Sequence, residues 1–229
     1  MKNTMKKIIK GIKNPSLAFN YLICKIRSFH YSKYIDEGKG KIIIGDPHIK
    51  VKIIKGKNAR LCIDGNLSIA PFLRGMAPVI ISMGENSKIE ILGDFIIGDG
   101  VRIHTRKNGL LSIKGKKIES ASGITANTLI MVYKKITIGV DFLCAWDVFI
   151  SDSDWHTILG QNYQKDITIG DHVWIANNNQ ILKGSIIGNN CIVASFSKIC
   201  NKIYPDNVLV GGIPAKIIKT NIEWHRDII

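Results

Sequence analysis

From position 167 the chain reads "ITIGDHVWIANNNQILKGSIIGNNCIVASFSKICNKI", and a large aliphatic residue returns at every sixth position: Ile169, Ile175, Ile181, Ile187, Val193 and Ile199. A second ladder of smaller residues, Val173, Asn179, Ser185, Cys191 and Ser197, keeps the same step. Neither a helical period of ~3.6 nor a strand period of ~2 produces a strict repeat of six. A coil with three flat sides does. Each side points one aliphatic inward, and Gly, Asn and Asp serve the corners, where positive φ is often required. Successive coils then hydrogen-bond at the usual sheet spacing of ~4.8 Å. One coil cannot bury its own core, so several must stack.

The same phase returns upstream at Ile138, Cys144 and Ile150, then at Ile118, Ile124 and Ile130, then at Ile91, Ile97 and Ile103. Small corner loops are expected between these blocks. Before residue 90 the short runs "KIIIG", "VKIIKG" and "LCIDG" predict irregular early β turns. The fold expected is an all-β solenoid; an ordinary β-sandwich is the alternative, against which the unbroken ladder speaks. The expected organisation is a basic, partly helical arm over 1–36, a β-helix domain over 37–219 with an extruded loop at 151–166, and a tail over 220–229.

The formal net charge of +14 invites a nucleic-acid reading. The charge is uneven, however. Residues 1–35 hold eight Lys/Arg and no acid, whereas 141–171 carries six aspartates. No motif with aromatic interleaving accompanies the charge, so no nucleic-acid partner is expected. Cys24, Cys62, Cys144, Cys191 and Cys200 form no C-x-x-C pair and read as reduced thiols. No apolar run approaches the ~20 residues of a membrane-spanning helix, and no signal peptide is visible. A cytoplasmic protein is expected.

"IGDHVWIANNNQILKGSIIGNN", followed by "VGGIPAKII", resembles the hexapeptide-repeat acyltransferases over roughly residues 90–219. The resemblance implies a left-handed parallel β-helix, although the general rule for parallel crossovers would predict a right-handed coil. It implies acetyl-CoA as acyl donor and a homotrimer whose donor grooves lie between subunits. Ala176, Asn177 and Ser195 match positions that hold the pantetheine, and Lys216 and Lys219 match basic residues near the CoA phosphates. One departure concerns the Thr-Lys common after the last turn; here Cys200 and Asn201 stand there, with Lys202 one place later.

Between Ile150 and Ile169 the ladder breaks: nineteen positions separate them where six would reach the next side. The extruded loop opens with "SDSDWH", which resembles the form found in family members that acetylate sugars of bacterial capsule and lipopolysaccharide. That resemblance makes His156 the general base. An unperturbed imidazole titrates near ~6.5, and a carboxylate on its other nitrogen would fix the tautomer. Asp154 or Asp152 could supply it, and Asp152 is also a candidate acceptor contact. The bland alternative is a surface histidine in an acidic loop. In the family a tryptophan like Trp174 borders the active site; capping the hydrophobic stack is its other reading. Trp146 and Asp147 are candidates to hold a sugar ring, and Asn127 is either an acceptor contact or an ordinary corner asparagine. The six histidines include no closely spaced pair of the kind a β-helix zinc site needs, so no metal is expected.

In the arm, Pro15-Ser16 looks like a helix entry, and Leu17, Phe19, Leu22, Ile23, Ile26 and Phe29 form an apolar stripe. The stripe is expected to pack on the first coil and cover its open edge, with contact to an anionic membrane as an added role for the arm. The function expected is an acetyl-CoA-dependent O-acetyltransferase acting on a sugar hydroxyl of a bacterial surface polysaccharide or its precursor. The alternatives are N-acetylation of a nucleotide-linked amino sugar and a non-catalytic β-helix scaffold.

Overall fold

The computed structural model describes residues 15–72, 77–116 and 122–226. One helix, α1 (Pro15–Ser32), precedes a stack of short strands. Every third strand joins the same sheet, and all neighbours pair in parallel until the last. The first sheet starts at Lys41–Ile44, the second at Val51–Lys55 and the third at Arg60–Ile63. The result is a parallel β-helix of three faces.

The aliphatic ladder becomes three stacks in register. In the first sheet Ile97, Ile124, Cys144, Ile175, Val193 and Val210 lie over one another. In the second the stack is Ile81, Ile103, Ile130, Ile150, Ile181 and Ile199. In the third it is Ile63, Ile91, Ile113, Ile138, Ile169, Ile187 and Tyr204. All are buried, and each fully buried aliphatic contributes about 1.5–3 kcal/mol relative to exposure. The ladder of smaller residues is buried too, at the corners. There the polar members satisfy one another: Asn179 Oδ1 accepts the Ser197 N–H at 2.6 Å, and Asn179 Nδ2 donates to the Ala176 carbonyl at 2.8 Å.

Two expectations change. Ile113, not Ile118, occupies the third-sheet position between Ile91 and Ile138, because the strand Leu110–Gly115 sits directly on the last turn's register and the corner insertion follows it. Ile118 lies outside the described residues. The early turns are irregular only in corner length: Lys41–Ile44 pairs residue for residue with Asn66–Ile69, and Val51–Lys55 with Val79–Met83.

The helix caps the first coil, but with the wrong face for an apolar stripe. Ser28 and Ser32 accept the Ile44 and Ile42 N–H groups at 2.9 and 3.0 Å. Arg27 donates to the Pro47 carbonyl at 2.6 Å, and the Tyr31 hydroxyl to the Val51 carbonyl at 2.8 Å. Ser28 and Ser32 satisfy the open edge of the first sheet and Tyr31 reaches that of the second, where no earlier strand pairs among the described residues. Phe19, Leu22 and Ile26 are exposed on the other side, and Leu17 and Phe29, exposed too, border the cleft beside the first strand.

Candidate active site

The loop leaves the second sheet after Phe149–Ser151 and rejoins the third at Ile167–Ile169. Its root is zipped. Ser153 bridges Gln164 in antiparallel fashion, the Asp154 N–H donates to the Tyr163 carbonyl at 2.8 Å, and the Lys165 N–H to the Asp152 carbonyl at 3.0 Å. His156 follows directly after this closed base and is exposed. Its ring makes no hydrogen bond among the described residues.

The two aspartates do not orient it. Asp152 is fully buried, and its oxygens accept the backbone N–H groups of Tyr133, Lys134 and Lys135 at 2.6, 2.8 and 2.7 Å. Burial pushes its carboxyl up from the ordinary carboxylate range against the downward pull of those amides. Asp152 therefore locks the loop's first residue to the coil above and is neither an acceptor contact nor a partner of His156. Asp154 is exposed, and its carboxylate pairs with the Lys183 ammonium, which also donates to the Asn162 carbonyl at 2.6 Å. Lys183 comes from the coil below, so the loop is tied from both sides.

A cluster that the spacing of the sequence does not reveal holds the loop from outside. Trp155 packs edge-on against Tyr133 at 5.7 Å between centroids, and Tyr133 against Tyr163 at 5.5 Å. The Arg106 guanidinium lies over both Tyr133 and Trp155, at 5.8 and 5.7 Å. His104 stands beside them, 6.3 Å from Trp155. Burial, then the Arg106 charge, holds the His104 imidazole below its ordinary value. The available signal was positional: Tyr133 and Arg106 stand at the same corner one and two coils earlier.

The other candidates fall elsewhere. Asn127, Asp147 and Asn178 occupy the corner between the first and second sheets, with φ of 48°, 58° and 57°. Asn127 fills that corner against Gly100, where a Cβ would lie 2.2 Å from its Oδ1; this is the role of a corner asparagine. Trp146 ends the strand just before the corner and is exposed, its carbonyl accepting the Asn178 N–H at 3.1 Å. Asn177 and Ser195 meet at this corner on successive coils, Ser195 Oγ donating to Asn177 Oδ1 at 2.7 Å. The Ala176 N–H donates to the Val193 carbonyl at 3.0 Å and so joins the ladder itself. Lys216 and Lys219 lie exposed on Ala215–Thr220, the last strand, which turns back antiparallel onto Val208–Gly212. Trp174 is on the first sheet, 5.9 Å from Trp224, and Trp224 stacks on His172 at 4.0 Å.

Within one chain, then, the expected site residues divide into groups. His156 belongs to the corner between the second and third sheets; Trp146, Asp147, Asn177 and Ser195 belong to the corner between the first and second. The whole second sheet lies between them.

Residues 166–201 match the family model described as bacterial transferase hexapeptide (six repeats). The chain is 36% identical over 138 residues to a polysialic acid O-acetyltransferase of Escherichia coli O1:K1 / APEC, a match covering 55% of this chain and 45% of that protein. It thus spans less than half of that relative. An uncharacterized 24.8 kDa protein in the cps region of Klebsiella pneumoniae is 31% identical over 193 residues, covering 81% of this chain and 82% of that one. Among solved structures, the polysialic acid O-acetyltransferase OatWY superposes with a TM-score of 0.57 at 25% identity, covering 84% of this chain and 92% of that one. With three parallel sheets, an in-register six-residue ladder and these relatives, the chain belongs to the hexapeptide-repeat acyltransferase family and folds as a left-handed parallel β-helix.

Proposed function

We propose that this protein is an acetyl-CoA-dependent O-acetyltransferase acting on a sugar hydroxyl of a bacterial surface polysaccharide or its precursor. The observation that carries the reading is His156, set at the mouth of a loop whose root is zipped and tied to the coil on either side, its ring without a hydrogen bond among the described residues. A rigid scaffold that extrudes one unpartnered imidazole suits proton transfer. His156 takes the proton of the acceptor hydroxyl as its oxygen attacks the thioester carbonyl. The tetrahedral intermediate collapses with cleavage of the C–S bond, and the imidazolium returns the proton to the leaving thiolate. The products are the O-acetyl sugar and free CoA.

The donor runs along the first-to-second corner in this reading. Backbone groups around Ala176, with Asn177 and Ser195, hold the pantetheine, and Lys216 and Lys219 meet the CoA phosphates. Trp146 offers a face to the sugar ring and Asp147 a carboxylate to its hydroxyls; Trp174 borders the reacting centre. Because His156 and the donor corner lie on opposite edges of the second sheet, the site is completed by a neighbour's corner, as a homotrimer permits.

Thiol release from acetyl-CoA with a panel of glycan acceptors tests the activity. His156→Ala should lower turnover by ~10²–10⁴-fold while leaving donor affinity in place. Retention of most turnover on the true acceptor would remove His156 as base. Light scattering checks the assembly: a fully active monomer at micromolar concentration would rule out the shared site.

A further inference from the structure

Helix α1 is turned inside out. The stripe facing the body is polar (Arg27, Ser28, Tyr31, Ser32) and is consumed by hydrogen bonds to the first coil. The opposite stripe carries Phe19, Leu22 and Ile26, with Phe29 at its border beside the cleft, exposed by 63%, 55%, 60% and 70%. An apolar helix face left in water is unusual, and four large residues on one side of one helix are a patch rather than scatter. The capping bonds prevent the helix from rolling over to bury it.

Cationic groups border the patch. Lys33 Nζ lies 4.9 Å over the Phe29 ring and Lys25 Nζ 5.3 Å over the Tyr21 ring, so each ammonium rests on an aromatic face of the helix. Lys25 and Lys41 line the cleft of ≈ 1020 Å³ that separates the helix from the first strand, and Leu17 and Phe29 line it with them. Asp46 is the acid in that lining, and it is engaged by the His48 N–H at 2.7 Å. Residues 1–35 carry eight Lys/Arg and no Asp or Glu.

We propose that the outward face of α1 is a docking surface for an anionic lipid bilayer. The helix lies in the plane of the interface, its apolar stripe in the acyl boundary and its lysines among the headgroups. No helix among the described residues is long and apolar enough to cross a membrane, so the contact is interfacial. A second copy of the chain is the competing occupant. Charge decides against it, since joining two such faces would bring together two segments that each carry eight Lys/Arg and no acid, whereas anionic lipid complements both the charge and the apolar stripe.

Co-sedimentation of the full chain with phosphatidylglycerol-containing and pure phosphatidylcholine vesicles tests this. Wild type should pellet with the anionic vesicles, less so as salt shortens the screening length. The combined Phe19→Ser, Leu22→Ser, Ile26→Ser, Phe29→Ser variant should keep the far-UV spectrum of the β-helix and lose at least ~10-fold in vesicle partition. Lys25→Gln with Lys33→Gln should bind anionic vesicles more weakly and leave the fold unchanged. Wild type that stays in the supernatant at low salt overturns the proposal, as does a serine variant that binds as well as wild type. So does a serine variant whose only change is a smaller mass in light scattering, which would assign the face to a second copy.

Discussion

The Trp155 indole turns back on the root of its own loop, its Nε1–H donating to Ser151 Oγ at 3.2 Å while its backbone holds φ of 66°. A bulky residue in the left-handed region costs about 1–3 kcal/mol unless its surroundings enforce it. Here Tyr133, Arg106 and Ser151 do so, and the strained backbone directs the next residue, His156, outward. Trp155→Ala should therefore leave the β-helix folded and donor binding intact but lower kcat by ~10–10²-fold, the scale of a misplaced reacting group. Limited proteolysis should cut the variant within 156–162 faster than wild type. Unchanged kcat and unchanged cleavage would mean the indole only fills space.

Asp154 and Lys183 offer a sharper test of what the acidic loop does. Their ion pair joins the loop to the coil below, with the Asp154 side chain 39% exposed, so its coupling is expected at about 0.2–1 kcal/mol. Asp154→Asn and Lys183→Met should each reduce turnover by less than ~10-fold, and the double variant should be no worse than the poorer single one. Neither should move the pH profile of kcat. A shifted profile in Asp154→Asn alone would show that the carboxylate reaches His156 during turnover.

How far the sequence could be read depended on whether local geometry alone sets the pattern. Ile169 through Ile199 were legible because one inward side chain per flat side is a property of the backbone period, and all six are buried. Ile118 was not, since counting backwards by six from Ile124 crosses a corner insertion that sequence cannot size. The polarity of α1 misled for another reason. The rule that an apolar stripe faces the core assumes a core to face, whereas the end of a solenoid presents unpaired amides and carbonyls that serines and an arginine satisfy better. The histidine stood out because it follows a break in the ladder. The aspartates' roles did not, because three amides of Tyr133–Lys135 and one ammonium of Lys183 become their neighbours only after coils stack.

Acid should loosen the junction between α1 and the first coil. Asp36 accepts the Lys55 ammonium and, at 2.6 Å, the Leu61 N–H. Burial alone would push its carboxyl up, but those two hydrogen bonds, with the charges of Lys55 and Arg60, outweigh burial and hold it below the usual range. A depressed carboxylate contributes stability above its unfolded value of ~3.9 and loses it as pH falls through the folded one. Protection of the Leu61 amide, taken relative to its intrinsic exchange rate, should fall below pH ~3.9, and Asp36→Asn should already show low protection at neutral pH with a flatter acid limb. An acid limb equally steep in the variant would assign the loss to other carboxylates.

Asp152 should prove to be a stability residue with a secondary effect on catalysis. Its two oxygens serve three amides of the neighbouring coil, a set that no neutral side chain of the same shape can replace. Asparagine keeps one acceptor oxygen and turns an NH₂ toward N–H donors, leaving buried amides unsatisfied at about 1–3 kcal/mol. Asp152→Asn should therefore lower the urea midpoint with m unchanged, and Asp152→Ala should lower it further by also opening a small void. Turnover in either variant, measured well below its melting temperature, should fall by no more than the loss in Trp155→Ala, since both act on the same loop root. No deficit in stability in either variant would place the carboxylate's role elsewhere than in that lock.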